Sequence, residues 1–146
     1  MITGFPGETE KEFTELHDFV AEQEFERLGV FTYSFEPNTP SANLPDHLSD
    51  DVKKSRRELI MATQQEIMLK HNSARIGESL PVILDSRIRD EQNVWVGRSM
   101  ADAPEVDSLV YVTGNNVALT AGRIATVEVV AAQDYDLIGI ATGDVY

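Results

Sequence analysis

The residues with the most chemistry per length lie in one stretch, Gly97-Arg98-Ser99-Met100-Ala101-Asp102-Ala103-Pro104-Glu105-Val106-Asp107. It holds three carboxylates, a guanidinium, a hydroxyl and a proline that cannot donate to a sheet. No histidine or cysteine stands beside the carboxylates to make a nucleophile–base pair or a metal site. What the stretch can offer is a stiffened set of charges for recognising a partner, and Arg98 is expected to orient it by pairing with Asp102 or Asp107. A plain polar surface loop is the alternative. Elsewhere, His17, His47 and His71 are scattered without metal-ligand spacing and are read as non-functional. The chain has no cysteine, which excludes disulfides, thiolate metal sites and iron–sulfur ligation on its own residues.

The balance of charge points the same way. Asp and Glu number 25 against 12 Lys and Arg, a net charge of −13. Such a field repels a phosphate backbone and attracts a basic protein. Residues 78–146 alone hold 11 acids and 4 basic residues, a net −7. A nucleic-acid-binding barrel would instead present a basic groove with stacking aromatics. No apolar run approaches the ~18 residues that span a bilayer, and no secretory leader is evident at Met1, so a cytoplasmic location is expected.

Two patterns divide the chain. From Met1 to Gly77 the order is strand, turn, helix, strand, loop, helix. Ile2-Thr3 ends a strand and Gly4-Phe5-Pro6-Gly7 makes a tight turn. Thr9 and Glu12 have capping-box spacing, and Glu8, Glu10 and Glu12 suit the positive end of a helix dipole. Phe13, Leu16, Phe19 and Val20 form its apolar face. Leu28 to Tyr33 reads as a buried strand, which makes a β/α unit of a parallel sheet. A Pro-rich loop then leads to a helix from Ser49 or Asp50 to about Ile76, with Val52, Leu59, Ile60, Thr63 and Ile67 as its stripe. Lys53, Lys54, Arg56 and Arg57 near its start read either as a solvated face or as partners of nearby acids. From residue 78 onwards, five short runs (80–85, 93–97, 108–113, 124–131 and 137–141) alternate with turn signals. They predict a small antiparallel OB-like barrel of five strands. The fold class is therefore α+β, with domains at 1–77 and 78–146.

At these residues the chain resembles the radical S-adenosylmethionine methylthiotransferase family. Ile2-Thr3-Gly4-Phe5-Pro6-Gly7-Glu8-Thr9 is similar to the family's fifth barrel strand and the turn after it. Phe31-Thr32-Tyr33-Ser34, with Leu44-Pro45-Asp46 downstream, is similar to its sixth strand and following loop. Residues after Gly77 resemble its terminal TRAM domain. The stretch from Gly97 to Asp107 and the later Asp134-Tyr135-Asp136-Leu137-Ile138-Gly139 resemble the RimO type, which modifies an aspartate of ribosomal protein S-twelve. The tRNA-modifying branch and a freestanding TRAM-type binding module are the alternatives.

The resemblance implies S-adenosylmethionine and two 4Fe-4S clusters as cofactors. It places Ile2 and Gly4 against the adenine, and Arg98, Asp102, Glu105 and Asp107 in docking the ribosomal protein or in holding the small barrel against the catalytic one. It implies radical abstraction of hydrogen from the aspartate β-carbon, followed by sulfur transfer. The cluster cysteines and the first four barrel strands of the family have no counterpart here. The chain is thus expected to be a C-terminal fragment or a truncated reading frame, inert alone and with no catalytic residue of its own.

Overall fold

The computed structural model describes residues 1–102, 108–114 and 117–146, and only the backbone at residue 144. The chain divides into two compact units, Met1–Met68 and Leu69–Tyr146.

In the first unit, β1 (Ile2–Thr3) runs parallel to β2 (Phe31–Thr32), with Ile2 opposite Phe31 and Thr3 opposite Thr32. Helix α1 (Glu10–Gln23) connects them. Its start follows the capping-box expectation. Thr9 Oγ1 accepts from the Glu12 amide at 3.2 Å, and Glu12 Oε2 accepts from the Thr9 amide at 2.8 Å. Two of the amides that a helix start leaves unpaired are thus satisfied. The helix stops where Glu24 turns left-handed and its N–H returns to Val20 O. Phe13, Val20, Val30, Ile60 and Ile67 form the core of this unit, the last two from helix α2 (Asp50–Ala74).

Three expectations are corrected here. The segment from Leu28 to Tyr33 pairs as a strand only at Phe31–Thr32, and Phe31 is 67% exposed, so it is not a buried strand. Phe19 lies outside the core and packs against Phe25, with ring centroids 5.7 Å apart. Helix α2 ends at Ala74, because Arg75 and Ile76 close onto Asn72 O and Ser73 O in a tighter i→i−3 turn.

The second unit is a closed barrel. Its strands are β3 (Ser79–Arg87), β4 (Val94–Ser99), β5 (Val110–Thr113), β6 (Ile124–Gln133) and β7 (Asp136–Val145), in the order β3-β4-β5-β7-β6. Alternation sends Leu80, Val82, Leu84, Val110, Val112, Ala125, Val127, Val129, Leu137 and Ala141 inward. The five-stranded closed barrel expected from the spacing is present, but not every seam is antiparallel. β5 and β7 run parallel, Val110 opposite Leu137 and Thr113 opposite Ile140. The physical reason is connectivity: β6 returns along β3, which leaves β7 to close the barrel in the direction of β5. Register shifts at Leu84/Ser86, Ala125/Val127 and Val129/Ala131 bend the long strands around so few neighbours. Gly97 and Gly139 sit where strands approach closely. A Cβ at Gly97 would run into Ile83 O and Val82, and one at Gly139 into Val127 and Glu128 O.

Candidate functional site

Arg98 is the penultimate residue of β4, beside Ile83 of β3. Its Nε donates to both carboxylate oxygens of Asp85, each at 3.1 Å. Its partner among the described residues is thus a residue of the neighbouring strand and not Asp102, while the expected alternative, Asp107, lies outside the described residues. Cross-strand pairing places Arg98 and Asp85 together, whereas sequence distance had favoured the loop. The pair is part-exposed and contributes about 0–1 kcal/mol.

Asp102 is only 8% exposed. Its Oδ2 accepts from Ser99 Oγ at 2.6 Å and from the Ser99 amide at 3.3 Å. Ser99 Oγ in turn accepts from the Ala101 amide, and Ser99 O from the Asp102 amide. Asp102 therefore ties off the turn after β4 from its far end, while Ser99 Oγ, accepting from the amide two residues on, makes a serine-type side-chain turn. Met100 stands at that turn 90% exposed. Glu105 and Asp107 lie outside the described residues.

The other predicted residues are in the first unit. Ile2 is 62% exposed on the same side of the two-stranded sheet as Phe31. Together they make a flat apolar step that the sequence reading did not anticipate, since Phe31 was taken as core. Gly4 adopts φ +78, and a Cβ there would meet the Lys53 stem at 2.6 Å. The Gly4 amide is held by both oxygens of Glu8, at 3.1 and 3.0 Å.

Glu8 is the centre of a network that sequence reasoning missed by treating it as a helix-dipole acid. Its Oε1 also accepts from Thr3 Oγ1 at 3.2 Å and from Arg56 Nη1 at 2.6 Å. Arg56 Nη2 reaches Glu10, and the guanidinium lies 5.1 Å from the Phe13 ring centre. Arg56 is 4% exposed. Burial works against its charge, but the hydrogen bonds it donates to Glu10 and Glu8 outweigh that and push its pKa up. Lys53 is buried too, with Nζ 3.0 Å from Asp50, whose carboxyl is held below its ordinary value by that bond. The solvated-face reading of these residues thus fails for Lys53 and Arg56, and the pairing reading holds. The only available signal was the excess of acids just before α1.

A cavity of about 360 Å³ follows β2, lined by Thr32, Tyr33, Ser34, Phe35, Asp50, Lys53 and Lys54. Open α/β sheets take ligands at this end of their strands. Among the described residues there is no group of three or more His, Cys, Asp or Glu able to hold a metal ion. With no cysteine in the chain, its residues do not fit an iron–sulfur cluster. The apolar step of Ile2 and Phe31 does fit the face of a purine. Among the described residues, no helix is long and apolar enough to cross a membrane.

Comparison with known proteins adds the family. Residues 76–141 match the model of the TRAM domain. Ribosomal protein uS12 methylthiotransferase RimO of Anaeromyxobacter sp. (strain K) is 45% identical over 95% of this chain and 29% of its own length. The protein of the same name from Clostridioides difficile (strain 630) is 44% identical over 95% of this chain and 31% of its own. That from Thermosynechococcus vestitus is 43% identical over 99% of this chain and 31% of its own. The chain spans about three tenths of the length of these relatives. Barrel, TRAM match and near-complete coverage of this sequence agree, and the chain belongs to the RimO-type methylthiotransferase family.

Proposed function

We propose that this chain is the C-terminal, substrate-docking portion of an enzyme that adds a methylthio group to an aspartate of ribosomal protein uS12 in the cytoplasm. The observation that carries the reading is similarity to uS12 methylthiotransferases over 95% of the chain. The barrel charge of −7 supports a basic protein over RNA as the partner. In the whole enzyme, S-adenosylmethionine and two 4Fe-4S clusters supply the radical and sulfur chemistry, and their cluster ligands lie outside this chain. Residues 1–77 contribute the last β/α units of the catalytic barrel, and residues 78–146 the TRAM barrel.

Within that division, Ile2 and Phe31 offer the adenine an apolar surface. Gly4 lets the chain turn away without a side chain, and Glu8 with Arg56 fixes that turn. Arg98, held by Asp85, and the carboxylates of Glu105 and Asp107 make the docking loop. Asp102 belongs to it by shaping the turn after β4. This chain alone is inert and supplies no catalytic residue.

The test is titration of the full chain with uS12 and with a tRNA at equal salt. Tighter binding to uS12, weakening as salt rises, is expected. Tighter binding to the tRNA would overturn the reading in favour of the tRNA-modifying relatives. Replacing Glu105 by Gln and Asp107 by Asn should weaken uS12 binding. Unchanged affinity would take the loop out of the docking site.

A further inference from the structure

The outer face of the barrel carries a feature that the docking loop does not account for. Register places Val96, Tyr111, Ile138 and Ala131 in one row across β4, β5, β7 and β6. The next row along contains Val94, Thr113 and Ile140. Alternation turns all of these away from the barrel core, and each is half-buried. A sheet face so rich in β-branched and aromatic residues is unusual for a surface left to water alone. At its edge, Tyr111 and Ile138 form one side of a cavity of about 190 Å³, completed by Gln133, Asp134 and Asp136. That is below the ~300–1,000 Å³ of sites for drug-sized ligands, and suits a single side chain.

We propose that this face of β4, β5 and β7 docks a basic protein, and that the cavity takes one of its lysine or arginine side chains. The proposal rests on the reading of uS12 as the partner. The aliphatic stem of such a side chain would lie on Ile138 and the ring of Tyr111, and its charged head would meet the carboxylates of Asp134 and Asp136. An apolar stem with a cationic tip is the chemistry this lining complements, and the tyrosine face adds cation–π attraction. The backbone fixes one of the two carboxylates directly and the chain position of the other. Asp134 occupies a left-handed position, φ +50, in the β6–β7 turn, and Asp136 Oδ1 accepts from the Leu109 amide at 2.8 Å. The Asp136 carboxylate is therefore already placed before the partner arrives, which lowers the entropy lost on docking. The net −7 of residues 78–146 supplies the long-range attraction.

The experiment uses the full chain and purified uS12. Asp134→Asn with Asp136→Asn preserves the left-handed turn and the acceptor for Leu109 while removing both charges. Dissociation constants should rise about tenfold, with a flatter salt dependence and mostly through slower association. Tyr111→Leu keeps an apolar side chain on the strand and should weaken binding about threefold, the size of one cation–π contact. Tryptophan fluorescence from Trp95, which packs against the barrel core, checks that each variant is folded. If the parent chain fails to bind uS12, the reading beneath this proposal falls. If the parent binds and these variants bind equally well, while Glu105→Gln with Asp107→Asn does not, this surface is wrong and the loop alone docks the partner.

Discussion

Arg56 is the residue on which the first unit depends most. Its buried guanidinium supplies the counter-charge for the largely buried Glu8 carboxylate and also reaches the exposed Glu10, and Glu8 uses its remaining capacity to hold Gly4 and Thr3. Replacing Arg56 by Ala leaves the largely buried Glu8 carboxylate without its counter-charge, whereas the exposed Glu10 is solvated by water. It should cost about 3–5 kcal/mol, the range for breaking one side of a buried pair. Hydrogen exchange at the amides of Phe13 and Ile60 would register the loss, and exchange unchanged from the parent would mean that the network is incidental. A different residue-scale constraint operates in the barrel. Gly139 has no room for a methyl group, since Val127 and Glu128 O occupy the space. Gly139→Ala should lower stability by about 1–3 kcal/mol, the usual result of overpacking, read as a lower midpoint in urea by Trp95 fluorescence. A midpoint equal to the parent's would show that β6 yields at no cost.

At the scale of elements, α1 owes its start to one reciprocal pair. Thr9→Ala should cost about 1 kcal/mol, typical of a lost N-cap, seen as reduced helicity by far-ultraviolet circular dichroism. The same cap gives a pH dependence with a definite sign. Hydrogen bonds from the Thr9 backbone and side chain hold the Glu12 carboxyl below its ordinary value of 4.5. A depressed folded pKa means that the contribution is fully present above 4.5 and is lost as pH falls below it. Acid titration of the parent should show this loss of helicity, and Glu12→Gln should remove that component. Thr9 and Glu12 were legible because a cap is local: its partners are three residues apart. The barrel strands were legible for a similar reason, alternation being a property of each strand taken alone. The short reach of β2 was not legible, because Leu28 to Tyr33 has strand composition and only its pairing decides which residues are strand. Nor was the Arg98–Asp85 pair, which joins positions 13 residues apart through the register of β3 on β4. The burial of Arg56 and Lys53 hid for the same reason, since charge runs on a helix ordinarily face water. The row of Val96, Tyr111 and Ile138 could be read only once the strand order was known.

For the molecule as a whole, the two units should differ in how firmly they hold their backbone. The barrel closes every seam, while β1 and β2 share two register pairs. Amides of Val82 and Val127 should therefore exchange more slowly than those of Phe31 and Tyr33, whose acceptors are Met1 O and Thr3 O. Equal protection would indicate that the first unit is stabilised by self-association. The parallel seam between β5 and β7 has a consequence of another kind, in the order of events during synthesis. A hairpin can form as soon as its second arm leaves the ribosome. The β5–β7 seam joins Val110 to Leu137 with the whole of β6 in between, and β3 waits for β6 from Ser79 to Glu128. Chain entropy is lost before either contact stabilises anything, which makes such closures slow. At about 5–20 residues per second, β3 and β4 spend seconds as an open ribbon on the ribosome. The barrel is a structure that the nascent chain completes only after β7 has emerged.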